Sequence, residues 1–424
     1  MRLLFLIPYL PTPIYVRPYS LLRTLAQRGH TITLFTLING HEDRQAIEDL
    51  ETAGIQVRAF LLPRWQALWN AGSTLPSRAP LQAAYCWQPR LLEALRAACT
   101  TTNGYPPYDV MHVEHLRGVR YALHIEQEFP GLPIVWDSVD CISYLFRQAA
   151  SNSRSFFGQW VTRLEAPRTK RFERLLLRHF DHILISSRND KLAYEQLLPP
   201  HSSHTPLHIV SNGVSPMEFF PDPKTGRAAH TLVVSGKMSY HANITMVLNL
   251  VEKIMPLVWR TNPEVRLQIV GKDPAAVIQA LGSDPRIQVT GTVPHIRPYL
   301  QQATLAVAPL TYGAGIQNKV LEAMACGTPV VCSPQAASAL QVESGRQLWI
   351  ASSPDDFAHA IVNLITHPER RTLIGQAGLA YVERYHRWDS IAAQLEGIYQ
   401  QAQTARISPR QVKGMTTRFS GGRK

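Results

Sequence analysis

The sequence predicts an α/β protein with two Rossmann-like domains, and three observations support this prediction. The chain begins with a strand, a helix and a second strand, the strands being Arg2–Ile7 and Thr31–Leu37. A second start of this kind, with a strand at Thr231–Ser235, follows a cluster of Pro and Gly at 218–228. Residues 305–332 then form another strand, loop, helix and strand. Such alternation is typical of parallel sheets covered by helices.

The domain boundaries follow from this pattern. We expect an N-terminal Rossmann-like domain at 1–220 and a second at 228–385, separated by the Pro- and Gly-rich segment. A helix at 386–402 would cross back to the first domain. Residues 403–424 are rich in Ser, Thr and Gly, basic and aperiodic. This composition predicts a disordered basic tail.

Composition limits the class of protein. The chain has 424 residues, of which 45% are hydrophobic and 17% charged, and such values are globular. No apolar run reaches the roughly 18 residues of a membrane-spanning helix. Five cysteines at irregular spacing fit a reducing cytosol and match no zinc pattern. We therefore expect a cytoplasmic protein.

The net charge of +12 raises the question of anionic partners. Nucleic acid, an anionic membrane surface and phosphorylated substrates all fit such a charge. Part of it lies in the tail after Ala405, which has six basic residues and no acid, and the helix predicted at 164–180 is strongly basic as well. The segment 63–89 carries Trp65, Trp69 and Trp87 beside arginines. These aromatic side chains would either pack over the sheet or dock a lipid-linked acceptor at a membrane interface.

The stretch 312–331, YGAGIQNKVLEAMACGTPVV, predicts an anion site. Its irregular, Gly-containing start leads into a helix that ends at Gly327 and Pro329. Loop amides and a helix N-terminus favour a phosphate, and Lys319 adds a full charge. Glu322, one turn on, could accept hydrogen bonds from ribose hydroxyls. The alternative is that Lys319 and Glu322 form an ordinary i, i+3 surface pair.

This stretch resembles the donor-binding motif of retaining, family 4 type glycosyltransferases, including those of exopolysaccharide biosynthesis clusters. Their pattern is Glu, seven residues, Glu, then Ala-x-Gly-x-Pro-Val-Val. Glu322 matches the second Glu, and Ala325, Gly327 and Pro329 follow in place, but Ala314 occupies the first Glu position. The resemblance implies a GT-B fold, in which two Rossmann-like domains face each other across a cleft. It also implies transfer of a sugar from a nucleotide-diphosphate donor, with retention, to a saccharide or lipid-linked acceptor.

The resemblance also implies which residues hold the donor. Lys237 occupies the place where relatives use a cation on the diphosphate. Glycosyltransferases that hold a metal do so through an Asp-x-Asp motif, and none follows a strand here. We therefore expect a metal-independent enzyme with no cofactor and no nucleic-acid partner. The expected donor-binding residues are Lys237, Asn243, Gly271, Gly315, Ile316, Gln317, Lys319 and Glu322.

Polar residues near strand ends in the first domain are candidates for the acceptor side. Asp137, Asp140 and His115 would orient the acceptor hydroxyl, although Asp140 could equally cap a helix. His112 and His115 would point to opposite faces of a strand, which disfavours a metal pair. Arg17 follows a Pro-rich loop and is the expected anion contact there, with a plain surface arginine as the alternative.

Two other functions share this fold. A non-hydrolysing nucleotide-sugar epimerase would need an acid/base pair around the sugar and no acceptor. A catalytically silent scaffold in polysaccharide synthesis is favoured by Ala314 alone. We expect the transferase, located in the cytoplasm and peripheral on the inner face of the plasma membrane, where the basic helix and the aromatic segment would contact anionic lipid.

Overall fold

The structure is a computed structural model that describes residues 1–40, 43–77, 79–100, 107–152, 156–199, 203–312 and 315–416. Two compact units are present, one of Met1–Val210 with the segment from Ile391, and one of Ser211–Ser390. Each unit contains one parallel sheet with helices around it. The prediction of two Rossmann-like domains is therefore confirmed.

The first unit contains a seven-stranded parallel sheet in the order β3-β2-β1-β4-β5-β6-β7. Its strands are nearly continuous apolar runs because helices cover both faces. The strand order reverses between β1 and β4, and ligands of open α/β sheets bind beyond the carboxyl ends at such a point. The strands are β1 (Arg2–Ile7), β2 (Thr31–Ile38), β3 (Ile55–Leu61), β4 (Val110–Glu114), β5 (Ile134–Val139), β6 (His182–Ile185) and β7 (Leu207–Ile209).

Helices connect these strands, as parallel pairing requires. They are α1 (Val16–Gln27), α2 (Arg44–Thr52), α3 (Arg64–Thr74), α4 (Leu81–Ala84), α5 (Pro89–Cys99), α6 (His115–Glu128), α7 (Ile142–Asn152), α8 (Phe156–Leu176) and α9 (Arg188–Glu195). The predicted bounds of β1 are confirmed. The aromatic segment, in contrast, has no predicted helix but forms α3 and α4.

The second unit contains a six-stranded parallel sheet in the order β10-β9-β8-β11-β12-β13. Its strand order reverses between β8 and β11, so the same rule places ligands beyond these strand ends. The strands are β8 (Thr231–Ser235), β9 (Arg266–Val270), β10 (Ile287–Gly291), β11 (Leu305–Ala308), β12 (Val330–Cys332) and β13 (Trp349–Ile350).

Helices alternate with the strands along the second unit, as parallel pairing requires. A π-helical turn at Leu250–Ile254 joins α10 to α11. The helices are α10 (His241–Asn249), α11 (Met255–Thr261), α12 (Ala276–Gln279), α13 (Arg297–Gln302), α14 (Asn318–Ala325), α15 (Pro334–Ala337), α16 (Pro354–Thr366) and α17 (Pro368–Tyr385). No helix in the described ranges is long and apolar enough to cross a bilayer.

The last helix, α18 (Trp388–Thr416), differs from the prediction. From Ile391 onwards it belongs to the first unit, where Tyr399 and Glu396 bond to His112 and Arg28. Residues 403–416 are helical, although a disordered tail was predicted from residue 403. The Gln- and Ala-rich sequence before 406 favours a helix, and Arg406 Nε donates to Asp181 Oδ1 at 2.6 Å. Residues 417–424 lie outside the described ranges.

Candidate active site

Two loops that contain glycine lie at the carboxyl ends of β8 and β9, where the donor is predicted to bind. Gly236 and Gly271 follow β8 and β9 with φ of 149° and 152°, a region that other residues rarely adopt. A Cβ on Gly271 would lie 1.7 Å from the carbonyl oxygen of Gly236. Two backbone hydrogen bonds also run from the first loop to the end of β9 and the second loop: Gly236 N donates to Val270 O, and Met238 N donates to Lys272 O. Close approach of the two backbones therefore requires glycine at 271.

A chain of hydrogen bonds ties the first turn of α14 to these loops. Lys319 Nζ donates to Asn243 Oδ1 at 2.5 Å, and Asn243 Nδ2 donates to the Lys237 carbonyl at 2.9 Å. The structure thus brings together Lys319, Asn243 and the loop of Lys237, which lie up to 82 positions apart in the sequence. The Lys237 side chain itself is exposed.

Lys319 and Glu322 have strongly shifted pKa values. Loss of hydration lowers the pKa of Lys319 to about 8, an effect that the nearby Glu322 opposes. Loss of hydration likewise raises the pKa of Glu322 to about 7, against the opposing effect of Lys319. The two side chains are half-buried and are not an ordinary exposed surface pair. Strongly shifted pKa values of this kind cluster at functional sites, so the pair is a candidate for ligand binding.

The loop before α14 contains the remaining predicted donor residues. Gly315 has φ of 65°, Ile316 is buried, and Gln317 is the N-cap residue in an extended conformation. Asn318, the first residue of α14, accepts a hydrogen bond from Asn212 Nδ2 at 3.0 Å. Tyr312 bonds His241 Nδ1 and stacks on its ring. Ala314 lies outside the described residues.

The rigidity of the glycine loops leads to a testable expectation. Gly271→Ala is expected to abolish nucleotide-sugar binding, because the new Cβ cannot fit against the Gly236 carbonyl and one loop must move. Calorimetric titration of the donor measures this. The matched control is Gly282→Ala, whose Cβ would meet only Val289 Cγ2 at 3.8 Å, an ordinary contact. Donor binding by Gly271→Ala that equals that of the control would contradict the loop assignment.

On the acceptor side, Arg17 and Asp137 form a buried ion pair. Arg17 Nε and Nη2 both lie 2.8 Å from Asp137 Oδ2, and Nη1 donates to the Val210 carbonyl at 2.9 Å. Arg17 is 5% exposed and Asp137 is fully buried. This differs from the sequence expectation of a free anion contact at Arg17 and an acceptor contact at Asp137. The two charges neutralise each other inside the unit, and the anion contact of Arg17 and the acceptor contact of Asp137 stay predictions.

Further polar residues lie around this pair, and sequence reasoning did not single out Tyr9 and Glu114 among them. His112 Nε2 lies 3.8 Å from Asp137 Oδ2, and its Nδ1 bonds the Tyr399 hydroxyl at 2.8 Å. Burial lowers the pKa of His112 to about 4, so its ring is neutral. Tyr9 donates to Glu114 Oε1 at 2.7 Å, and burial raises the pKa of Glu114 to about 8. The position of Glu114 at a strand end was the signal that could have revealed it.

His115 has the geometry of a functional position. It follows β4 with φ of 62°, and Val139 at the end of the neighbouring β5 has φ of 65°. Positive φ is costly for side chains with a Cβ, most of all a β-branched one, and clusters at functional sites. The buried Nδ1 of His115 has no hydrogen-bond partner. Burial, and secondarily Arg117, lowers the pKa of His115 to about 3, so the ring is neutral.

Asp140 remains an acceptor-side candidate. Ser186 Oγ donates to its Oδ1 at 3.1 Å, and burial raises its pKa to about 7, with a smaller contribution from Asp190. Among the described residues, other carboxyl groups bond the first amides of α7. Glu173 Oε1 accepts from Ile142 N at 2.8 Å, and Asp190 Oδ1 accepts from Cys141 N at 2.9 Å. The amides at the start of α7 therefore bond Glu173 and Asp190 in place of the Asp140 carboxyl group.

Among the described residues, no group of three or more His, Cys, Asp or Glu side chains could hold a metal ion. The five cysteines are buried and free. The donor residues Lys319, Asn243 and Gly271 lie in one unit, and His115, Asp137 and Asp140 lie at the strand ends of the other. Within the second unit, the half-buried Lys319 and Glu322 lie in the first turns of α14, at the carboxyl edge of the sheet.

Comparison with known families identifies the class of protein. A model described as a glycosyl transferase 4-like domain matches residues 14–213, and one described as glycosyl transferases group 1 matches residues 229–367. Together they cover most of the chain, one per unit. The chain belongs to the family 4 type glycosyltransferases with the GT-B fold.

Individual relatives agree with this family. The chain is 27% identical over 160 residues to a GDP-mannose-dependent monoacylated alpha-(1-6)-phosphatidylinositol monomannoside mannosyltransferase of Corynebacterium glutamicum, covering 35% of this chain and 42% of the relative. It is 26% identical over 208 residues to the MMP alpha-(1->4)-mannosyltransferase of Mycolicibacterium hassiacum, covering 46% and 48%. The matches thus span less than half the length of these curated relatives.

Solved structures show the same fold. Sucrose-phosphate synthase from Thermosynechococcus elongatus superposes with a TM-score of 0.67 at 17% identity, over 96% of this chain and all of that one. Anabaena HepE in complex with UDP-glucose gives 0.66 at 15% identity, over 95% of this chain and all of that one. At these identities the similarity establishes the fold only.

Proposed function

We propose that this protein is a glycosyltransferase that moves a sugar from a nucleotide-diphosphate donor to an acceptor hydroxyl, with retention of anomeric configuration. The observation that carries the proposal is the pair Lys319 and Glu322. They lie one turn apart on α14, both poorly hydrated, and Lys319 bonds Asn243 beside the glycine loops. A diphosphate fits the cation and amides, and a ribose fits the carboxylate.

The chemistry required of these groups is stabilisation of the leaving diphosphate. Lys319, Lys237 and the loop amides at 315–318 would neutralise the negative charge that develops as the sugar departs. This electrostatic contribution can replace a metal ion, so we propose metal-independent catalysis. On the acceptor side, Asp140 and His115 are the groups that would orient the attacking hydroxyl. Because Ala314 has no carboxylate to bind the sugar hydroxyls, Gln317 or the loop amides would bind them.

The relatives suggest which donors to test. One curated relative is named GDP-mannose-dependent, and HepE binds UDP-glucose. We therefore propose a donor panel of UDP- and GDP-sugars with saccharide and lipid-linked acceptors. Mass spectrometry reports transfer, NMR of the product reports the anomeric configuration, and turnover with EDTA reports the metal requirement. An inverted product or loss of activity on chelation would overturn the corresponding part of the proposal.

The same experiments separate the two alternative functions. An epimerised nucleotide sugar without transfer would identify an epimerase. A complete lack of nucleotide-sugar binding would identify a scaffold, which the Ala314 substitution favours. The proposed transferase requires both binding and a glycosylated product.

Donor affinity is expected to depend on pH through the two shifted groups. Protonated Lys319 attracts the diphosphate, so affinity should fall as pH rises through about 8. Ionised Glu322 accepts ribose hydrogen bonds, so affinity should also fall as pH drops below about 7. We expect a maximum between these values in a calorimetric titration series. Lys319→Met should remove the fall at high pH; an unchanged alkaline profile in that variant would contradict the assignment.

We also propose a peripheral location on the inner face of the plasma membrane, in line with a pathway that makes polysaccharide or glycolipid. The support is the net charge of +12 and the exposed Lys170, Arg171 and Arg174 on α8. Flotation with phosphatidylcholine vesicles, with and without phosphatidylserine, tests this at low salt. Equal recovery with both vesicle types would remove the electrostatic part of the proposal.

A further inference from the structure

A cavity of about 730 Å³ opens in the first unit beside the carboxyl ends of β1, β2 and β3. This is the size of a small-molecule site, and it lies at the sheet edge where α/β proteins bind ligands. One wall is apolar, with Leu37, Leu62 and Leu81 among its residues. Helix α3 supplies another wall through Arg64, Ala67, Leu68 and Ala71, which share one helical face.

Polar groups without partners line the same cavity. Thr12 Oγ1, Gln82 Oε1 and Arg117 Nε are buried and make no hydrogen bond. Buried polar atoms are rarely left in this state, because each costs free energy when it is unsatisfied. Three in one cavity therefore point to a ligand that supplies both donors and acceptors.

Arg117 gives this cavity its electrostatic character. Its guanidinium carbon lies 5.9 Å from the ring centre of Tyr9 and 5.3 Å from that of Tyr85, between two aromatic rings. Within the described residues, no acid forms an ion pair with Arg117. Arg64 adds a second cation to the lining, while the acid Asp43 accepts a bond from Asn39 N at 3.0 Å. The inner end of the cavity therefore favours an anion.

The outer face of α3 continues the apolar wall onto the surface. Trp65, Leu68 and Trp69 are 70%, 73% and 73% exposed, and none of the residues of α3 is buried. Leu68 belongs both to this stripe and to the cavity lining, so the apolar surface is continuous from the cavity to the exterior. Exposed aromatic clusters of this kind mark interaction sites, and tryptophan favours the boundary between water and hydrocarbon.

We propose that this cavity binds a lipid-linked acceptor, with its phosphate beside Arg117 and its hydrocarbon chain along α3 toward Trp65 and Trp69. The cation at the inner end matches a phosphate, and the continuous apolar wall matches a chain that leads out to a membrane. The description of this ligand as the acceptor rests on the proposed function. A neutral saccharide would leave both the cation and the apolar stripe unused.

Binding of three probes to the full chain tests the proposal by calorimetry. Decyl phosphate has both a phosphate charge and a hydrocarbon chain, decyl glucoside has only the chain, and inorganic phosphate has only the charge. The two amphiphiles are kept below their critical micelle concentrations. We expect decyl phosphate to bind at least about tenfold more tightly than either of the others, the ratio that a charge-assisted hydrogen bond supplies. Equal affinity for decyl glucoside or for inorganic phosphate would overturn the proposal.

Variants test which residues bind the phosphate and which bind the hydrocarbon chain. Arg117→Gln should weaken decyl phosphate about tenfold and leave decyl glucoside unchanged, whereas the control Arg174→Gln, exposed on α8, should change neither. Ala71→Phe, which fills the cavity, should weaken both amphiphiles, and the control Gln127→Phe at an exposed position of α6 should not. Equal effects in a variant and its control would contradict the site. Self-association that Leu68→Ser abolishes, with probe binding unchanged, would assign the stripe to a second copy of the chain.

Nucleotide-sugar binding is measured on the same preparations, since it involves residues of the other unit. Normal donor binding with no decyl phosphate binding would refute the lipid-linked acceptor alone. Normal decyl phosphate binding without donor binding would refute the glycosyltransferase proposal and with it the description of the ligand as an acceptor.

Discussion

Lys319→Met is expected to lower kcat/KM for the nucleotide-sugar donor by about a hundredfold to a thousandfold. Loss of one preorganised group that stabilises developing negative charge has this order of effect. Glu322→Gln removes the charge that would bind the ribose, and we expect it to raise KM for the donor more than it lowers kcat. Steady-state kinetics with the best donor of the panel measures both.

The matched controls are Lys253→Met and Glu252→Gln. Both residues are exposed on the π-helical turn of the same unit, so the same change of charge is made away from the glycine loops. We expect control kinetics close to those of the unaltered enzyme. Full activity in Lys319→Met and Glu322→Gln would refute the donor-site assignment, while equal losses in variants and controls would indicate a general effect of charge.

Asp137→Asn is expected to lower the stability of the first unit by about 3–5 kcal/mol, because it leaves the Arg17 charge buried without its partner. The double variant Arg17→Met, Asp137→Leu should be less destabilised than Asp137→Asn, since neither charge then remains. Denaturant unfolding monitored by hydrogen exchange in β1 and β5 reports this unit separately from the other.

The control is Glu128→Gln, which removes one partner of the exposed Arg96–Glu128 pair. We expect no measurable change there, because solvent screens exposed pairs. A double variant as unstable as Asp137→Asn would show that lost packing, and not the unpaired charge, dominates. Unchanged stability in Asp137→Asn would contradict the structural role of the pair.

Strands β1 and β8 could be predicted to the residue, because buried parallel strands are short apolar runs bounded by polar or turn residues. Helix α3 could not. Trp65, Leu68 and Trp69 are spaced as on one side of a helix, but they are exposed, and the Pro and Ser residues around them are typical of loops. The extension of α18 was missed for another reason: Asp181, which Arg406 bonds, lies 225 residues away.

Only the part of the predicted donor site around the start of α14 could be read from local sequence, because Lys237, Asn243 and Gly271 lie far from it in the chain. Lys319 and Glu322 lie one helical turn apart and directly follow the Gly-containing loop, so local spacing indicates which groups could face a phosphate. The acceptor side was decided by tertiary structure. Arg17 and Asp137 are 120 positions apart, and their pairing depends on how β1, α1 and β5 pack, which no local pattern records. The same packing buries Arg117 between Tyr9 and Tyr85, because burial and partnership are properties of the folded unit and not of residue type.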